Sequence, residues 1–235
     1  MSSTMAPART TAAACSTVLG LISGPVRPAV RVAAFPRALY LRLSTGELIA
    51  LLSRDAVRMP FGLALASSAA QLPLNGLRGP VLAGADEVRI GRWTVRVSRL
   101  VSVAAPVGLT PDRTALERAS VRLNRVGPGA GDLAELGVIP DLPGSDRLDA
   151  ALAHRMLGAG PGLTPAGDDF LAGLLVGAWS FGLAADTLRA TVAAQARNRT
   201  TDLSAALLGS ACRGESIPEL TRMVLSVSGR CAEVD

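Results

Sequence analysis

The sequence predicts an α+β chain, with a β-rich, barrel- or sandwich-like N-terminal region followed by a mainly helical C-terminal region. Three observations predict it. Apolar residues alternate with polar ones in short runs of the N-terminal part, as in Val88-Arg89-Ile90 and Trp93-Thr94-Val95-Arg96-Val97, which is the period of a half-buried strand. Pro25, Pro28, Pro60, Pro73 and Pro80 divide that part into strand-sized pieces. From Thr110 onward the apolar spacing turns helical. The expected division is a β-rich domain over residues 1–105 and a helical domain over residues 106–235.

Residues 11–22 are mildly apolar behind Arg9 and are expected to form a leading helix. They contain Thr and Ser and offer no convincing cleavage site, so a signal peptide is not the preferred reading. Ala38–Leu43 and Glu47–Leu52 flank Ser44-Thr45-Gly46, the pattern of a hairpin. Val88–Ile90 and Trp93–Val97 around Gly91-Arg92 predict a second, with one face buried and the arginines pointing out. A helix is expected from Asp112 to about Leu123, and the Gly- and Pro-rich stretch Gly127–Gly144 reads as a flexible joint. Further helices follow from about Asp146 to Leu157 and after Thr164. The latter is apolar on most sides (Phe170, Leu171, Leu174, Leu175, Trp179) and should be a buried central helix. Gly173 and Gly177 give it a small-residue stripe for close helix contact, and Trp93 and Trp179 are assigned to the core. Another helical region opens near Arg197-Asn198-Arg199-Thr200-Thr201-Asp202, where Thr200, Thr201 and Asp202 are all suitable caps.

Composition limits the function classes. The chain has 235 residues, 49% of them hydrophobic but only 3% aromatic, so its core is built from Ala, Val and Leu. The formal charge is +5 and all 24 basic residues are arginine. They are scattered singly, with few aromatics to stack bases, so no nucleic-acid partner is expected. Cys15, Cys212 and Cys231 lie far apart without ligand spacing, which suggests neither a disulfide framework nor a zinc site and fits a reducing cytoplasm. No apolar run reaches the ~20 residues of a membrane span, so no membrane partner is expected.

The most informative stretch is Pro161-Gly162-Leu163-Thr164-Pro165-Ala166-Gly167-Asp168-Asp169-Phe170-Leu171. Thr164 is a suitable N-cap and Pro165 suits the first helical position. Gly167 costs a helix ~0.5–1 kcal/mol relative to alanine, so something is expected to approach that backbone closely. Asp168 and Asp169 stand where the helix dipole favours negative charge. Capping grammar alone is the competing explanation, and Gly108-Leu109-Thr110-Pro111 repeats the first tetrapeptide without the rest. Arg197 and Arg199, just before a helix start, offer an environment for an anion; the alternative is two solvated arginines beside a routine cap.

Gly160 to Leu175 resembles the signature of the AllH-like proteins, one of which is tied to the oxamate carbamoyltransferase of allantoin breakdown, a branch of purine catabolism. Arg199–Leu208 and Phe35–Leu41 are similar to further segments of that family. The resemblance implies participation in carbamoyl transfer between carbamoyl phosphate and oxamate, together with other subunits or as a homo-oligomer. Family members usually continue into another helix with a second Ser-Gly and Asp-containing motif. Nothing comparable follows Leu220–Cys231, so a shortened, non-catalytic assembly subunit, or one completed by a partner, is also expected.

Carbamoyl transfer needs a phosphate cradle, donors for the carbamoyl oxygen and an acceptor nitrogen held in line. Gly160, Gly162 and Gly167 are candidates to present backbone amides. Thr164, Thr200 and Thr201 are candidate hydrogen-bonding residues, and Arg197 and Arg199 candidate holders of phosphate or carboxylate. Asp168 and Asp169 would repel an anion at the same spot. They act as caps, hold the acceptor's N–H, or share a Mg²⁺ with the phosphate. Adjacent helical side chains diverge by ~100°, so Asp168 is expected to contact the ligand, or a metal, and Asp169 to support the cap. The Mg²⁺ option defines a second reading, a Mg²⁺-dependent hydrolase or phosphoryl-handling enzyme. The lone His154 reads as a packing or surface residue before a general base. Ser204 and Ser210 have no histidine at readable spacing and do not suggest a serine hydrolase.

Overall fold

The computed structural model describes residues 8–126 and 148–230. The chain divides into two compact units, 1–103 and 104–235. Both expected regions are present: a β-barrel in the first and helices in the second, an α+β chain.

The barrel closes in the order β1 (Ala8–Ala14), β5 (Gly62–Leu65), β4 (Leu48–Leu52), β3 (Ala38–Leu43), β2 (Arg27–Ala34), β6 (Val81–Gly84), β7 (Glu87–Ile90) and β8 (Trp93–Leu100). β8 returns parallel to β1, and β4 and β5 are also parallel. Closure gives each of these strands a partner on both sides. Both expected hairpins form, with Tyr40 opposite Ala50 in one and Val88 opposite Val95 in the other. Leu39, Leu41, Ile49, Leu51, Leu63, Val88, Ile90 and Val95 fill the barrel core, and Arg89 and Arg96 lie outside.

The leading helix is shorter than expected. Residues 8–14 form β1, and α1 covers only Ser16–Ile22. Cys15 separates them: its Sγ accepts the Val18 N–H at 3.5 Å and donates to the Pro60 carbonyl at 3.2 Å. Ala12 and Ala14 are buried at alternate positions; the small side chains hid a period of two.

In the second unit, α2 (Arg113–Val126) is capped by Asp112, whose Oδ1 accepts from Ala115 N at 2.7 Å. The stretch expected as a joint, Gly127–Gly144, lies outside the described residues, as does the start of the next expected helix. α3 (Ala150–Met156) is capped by Asp149. α4 (Ala166–Phe181), α5 (Asp186–Arg199), α6 (Asp202–Cys212) and α7 (Pro218–Val227) follow. Leu152, Met156, Leu171, Leu175, Val176, Leu188, Val192, Leu208 and Val224 form their common core.

α4 buries Leu171, Ala172, Leu175, Val176 and Ala178 as a central helix should. Two expectations about it are corrected. Cβ atoms built at Gly173 and Gly177 meet nothing within 4 Å, so among the described residues no helix packs on that stripe. Trp179 is 39% exposed: its indole lies against Gly214, where a side chain would collide with the ring, and its outer edge faces solvent.

Candidate functional site

The loop between α3 and α4 is built on glycine. Gly158, Gly160 and Gly162 have φ values of 74°, 111° and 94°, a region other residues enter only at a cost. Space around Gly162 is open, so its conformation alone demands glycine. Gly167 is different. A Cβ there would run into the Met156 carbonyl oxygen and stand 2.9 Å from the Ala159 side chain. The Gly167 N–H donates to the Ala159 carbonyl at 2.9 Å. The close approach expected at Gly167 is thus made by the protein's own backbone.

α4 starts one residue later than expected. Pro165 is the N-cap, with φ −52° and ψ 140°, and no side chain caps this helix start. The Pro165 carbonyl accepts from the N–H groups of Asp168 (2.9 Å) and Asp169 (3.2 Å). The Thr164 hydroxyl lies near the Asp169 carboxylate, where it favours the ionised form.

The two acidic side chains part company, as their helical spacing requires. Asp168 is completely buried. Its Oδ1 accepts the Gly158 N–H at 2.8 Å and its Oδ2 accepts the Thr200 hydroxyl. Asp169 is exposed. Its pKa is raised above the ordinary aspartate value, first by desolvation against the surrounding loop and then by the neighbouring Asp168, while the Thr164 hydroxyl opposes the rise. Asp169 is therefore the carboxylate of the pair that solvent reaches.

Asp168 ties the loop to the junction of α5 and α6. The Thr201 hydroxyl donates to the Leu163 carbonyl at 2.6 Å and accepts the Ser204 N–H at 3.1 Å, so Thr201 is both clasp and N-cap. Gly158 packs against the Arg199 carbonyl. The two separate sequence motifs thus meet at one place. Arg197 and Arg199 do precede a helix start, but they occupy the last turn of α5. Cations are favourable there because the helix C-terminus carries partial negative charge. Both are exposed.

Arg199 is held by the chain's only histidine. Its Nη2 donates to the His154 carbonyl at 3.0 Å, and its Nη1 lies 3.2 Å from His154 Nδ1. A guanidinium only donates, so Nδ1 is the accepting side of this contact. These partners are 45 positions apart, a distance over which no local spacing gives a signal. Ser204 was also hidden: it is fully buried in the first turn of α6, and its Oγ has no hydrogen-bond partner among the described residues. Ser210 is buried too, and its Oγ accepts from Arg213.

Among the described residues, no three His, Cys, Asp or Glu side chains gather as a metal site, and no helix is long and apolar enough to cross a membrane. Cys15 and Cys212 are free thiols. Burial pushes the Cys212 thiol up to about 11, against the pull of Arg189 and Arg213, which disfavours the thiolate.

No solved structure matches the chain. A family model does, over a stretch that includes the glycine loop, both aspartates and the Arg199–Ser204 junction but not the Phe35–Leu41 segment. Residues 156–234 match the model of the family described as oxamate carbamoyltransferase subunit AllH, to which this stretch is similar.

Proposed function

We propose that this chain is a subunit of an oxamate carbamoyltransferase-type enzyme, and that the α3–α4 loop with the α5–α6 junction binds carbamoyl phosphate. The observation that carries the reading is that, inside the AllH-like stretch, buried Asp168 and Thr201 tie the glycine loop to the α5–α6 junction, with Asp169 and Arg199 left exposed. Phosphate is taken by amides of the loop at Gly160 and Gly162 and by Arg199, with Arg197 adding charge. Fixed donors of this kind stabilise charge without reorganising during reaction.

Asp169 accepts the amide N–H of oxamate and orients its nitrogen at the carbamoyl carbon. The new C–N bond forms as the C–O bond to phosphate breaks. The nitrogen's proton passes to Asp169, and the products are N-carbamoyl oxamate and inorganic phosphate. A carboxylate with a raised pKa suits proton acceptance better than an ordinary one. Asp168 acts through Gly158 and Thr200: it fixes the loop and keeps its own charge occupied by protein donors. Thr164 holds Asp169. Thr200 and Thr201 position the loop, and partner subunits complete the site.

Calorimetric titration of the purified chain with carbamoyl phosphate tests the reading. Binding without added metal is expected, weakened about tenfold in Arg199→Gln through loss of a charge-assisted bond. Oxamate should bind the carbamoyl phosphate complex and lose affinity in Asp169→Asn. Binding that requires Mg²⁺, or no binding of carbamoyl phosphate or phosphate by the chain alone or with its partner subunits, overturns it.

A further inference from the structure

One side of the barrel gathers arginines that look scattered in the sequence. Arg89 is in register with Thr94, and Thr94 with Arg9. Next to this row, Glu87 is in register with Arg96, and Arg96 with Thr11. Residues in register share a face. The residues between them in sequence, Val88, Ile90 and Val95, are buried inside the barrel, so these two rows lie outside. Arg9, Arg89 and Arg96 are all exposed. Arg99, exposed and in register with Ala13, continues the line along β8. The acidic member of these rows is Glu87, bonded to Arg89 at 2.5 Å.

Neighbouring strands lie ~4.8 Å apart and same-face residues of a strand ~6.8 Å apart. The three guanidinium groups around Thr94 therefore form a single patch. We propose that this outer face of β7, β8 and β1 docks an extended acidic segment of a partner protein. An extended segment with a carboxylate at every second residue repeats at the same ~6.8 Å, and a guanidinium takes a carboxylate in a two-bond fork.

Two features favour a polypeptide over a nucleic acid. Trp93, the aromatic residue of these strands, is in register with inward-facing Ile90, so the outer patch presents no aromatic ring on which a base could stack. Glu87, set between Arg89 and Arg96, repels a continuous phosphate chain but gives a protein partner a fixed acceptor. The surface belongs to the barrel unit and lies outside residues 156–234. Its failure would leave the carbamoyl phosphate reading untouched.

The test is fluorescence anisotropy with a labelled peptide of about twelve residues alternating Glu and Thr, at low salt. The triple variant Arg9→Gln, Arg89→Gln, Arg96→Gln should weaken binding about tenfold or more. A control with the same charge change at exposed Arg37, Arg113 and Arg222 should change it less than about twofold. Circular dichroism melts establish that both remain folded. If the Gln variant melts early, the reversal Arg9→Glu, Arg89→Glu, Arg96→Glu provides a second readout, since it should bind a Lys–Thr peptide in place of the Glu–Thr one. Equal weakening by both triples, no exchange of peptide by the reversed face, or tighter binding of single-stranded RNA of the same length overturns the proposal.

Discussion

Replacing Asp168 by alanine removes a buried carboxylate that holds two ends of the helical unit together. Its Oδ1 carries the Gly158 N–H at 2.8 Å and its Oδ2 the Thr200 hydroxyl. Hydrogen bonds to a charged group contribute about 1.5–3 kcal/mol each, so the two together contribute about 3–6 kcal/mol. Removing the carboxylate also removes the cost of burying it, which offsets part of that loss. Gly158 and Thr200 are half-buried, so water restores part of their bonding. The net expectation is a loss of about 2–4 kcal/mol, or about 5–15 °C in Tm. Asp168→Asn keeps an acceptor for Gly158 and turns a donor toward the Thr200 oxygen, and should lose only about 1 kcal/mol. Urea unfolding followed by Trp179 fluorescence in a Trp93→Phe background reports on the helical unit alone. An Asp168→Ala variant within about 0.5 kcal/mol of the parent, or an Asn variant as unstable as the Ala variant, refutes the clasp.

Thr200→Val deletes the other donor without changing shape, and a double-mutant cycle with Asp168→Asn should give a coupling of about 0.5–3 kcal/mol; additivity would show that the two groups do not communicate. Gly167→Ala places a methyl against the Met156 carbonyl and should cost about 1–3 kcal/mol, measured by the same unfolding assay. The raised pKa of Asp169 means that the folded protein binds this proton more tightly than the unfolded chain. Its contribution is full below the ordinary aspartate range and is lost as pH rises through the raised value. Asp169→Asn should therefore melt above the parent at neutral pH and converge with it in acid, and a constant difference across that window would contradict the cause given.

The sequence revealed the elements better than their meeting points. Hairpins were visible because Val88, Ile90 and Val95 alternate with charged residues. β1 was not, because Ala12 and Ala14 are too small and too like their neighbours to mark an inward face. At the α4 start, Gly167 did signal a close approach, yet glycine reports only that something is near. Here the neighbours are Met156 and Ala159. The contact of His154 with Arg199, and of Asp168 with Thr200, joins residues 45 and 32 positions apart. Such contacts arise from helix packing and have no local pattern to read.

That packing bears on the difficulty of placing an anion beside two adjacent carboxylates. Consecutive positions on a helix point ~100° apart, and the burial of Leu171, Leu175 and Val176 fixes the rotation of α4 about its axis. With that rotation fixed, Asp168 faces inward to Gly158 and Thr200, and Asp169 faces out beside Thr164. An anion at the loop then meets one exposed carboxylate rather than two. On the proposed reading, that single group is an acceptor for the second substrate's N–H. If Asp169→Asn tightened carbamoyl phosphate binding while leaving oxamate affinity intact, repulsion would be the only role of Asp169 and its place in the chemistry would fall.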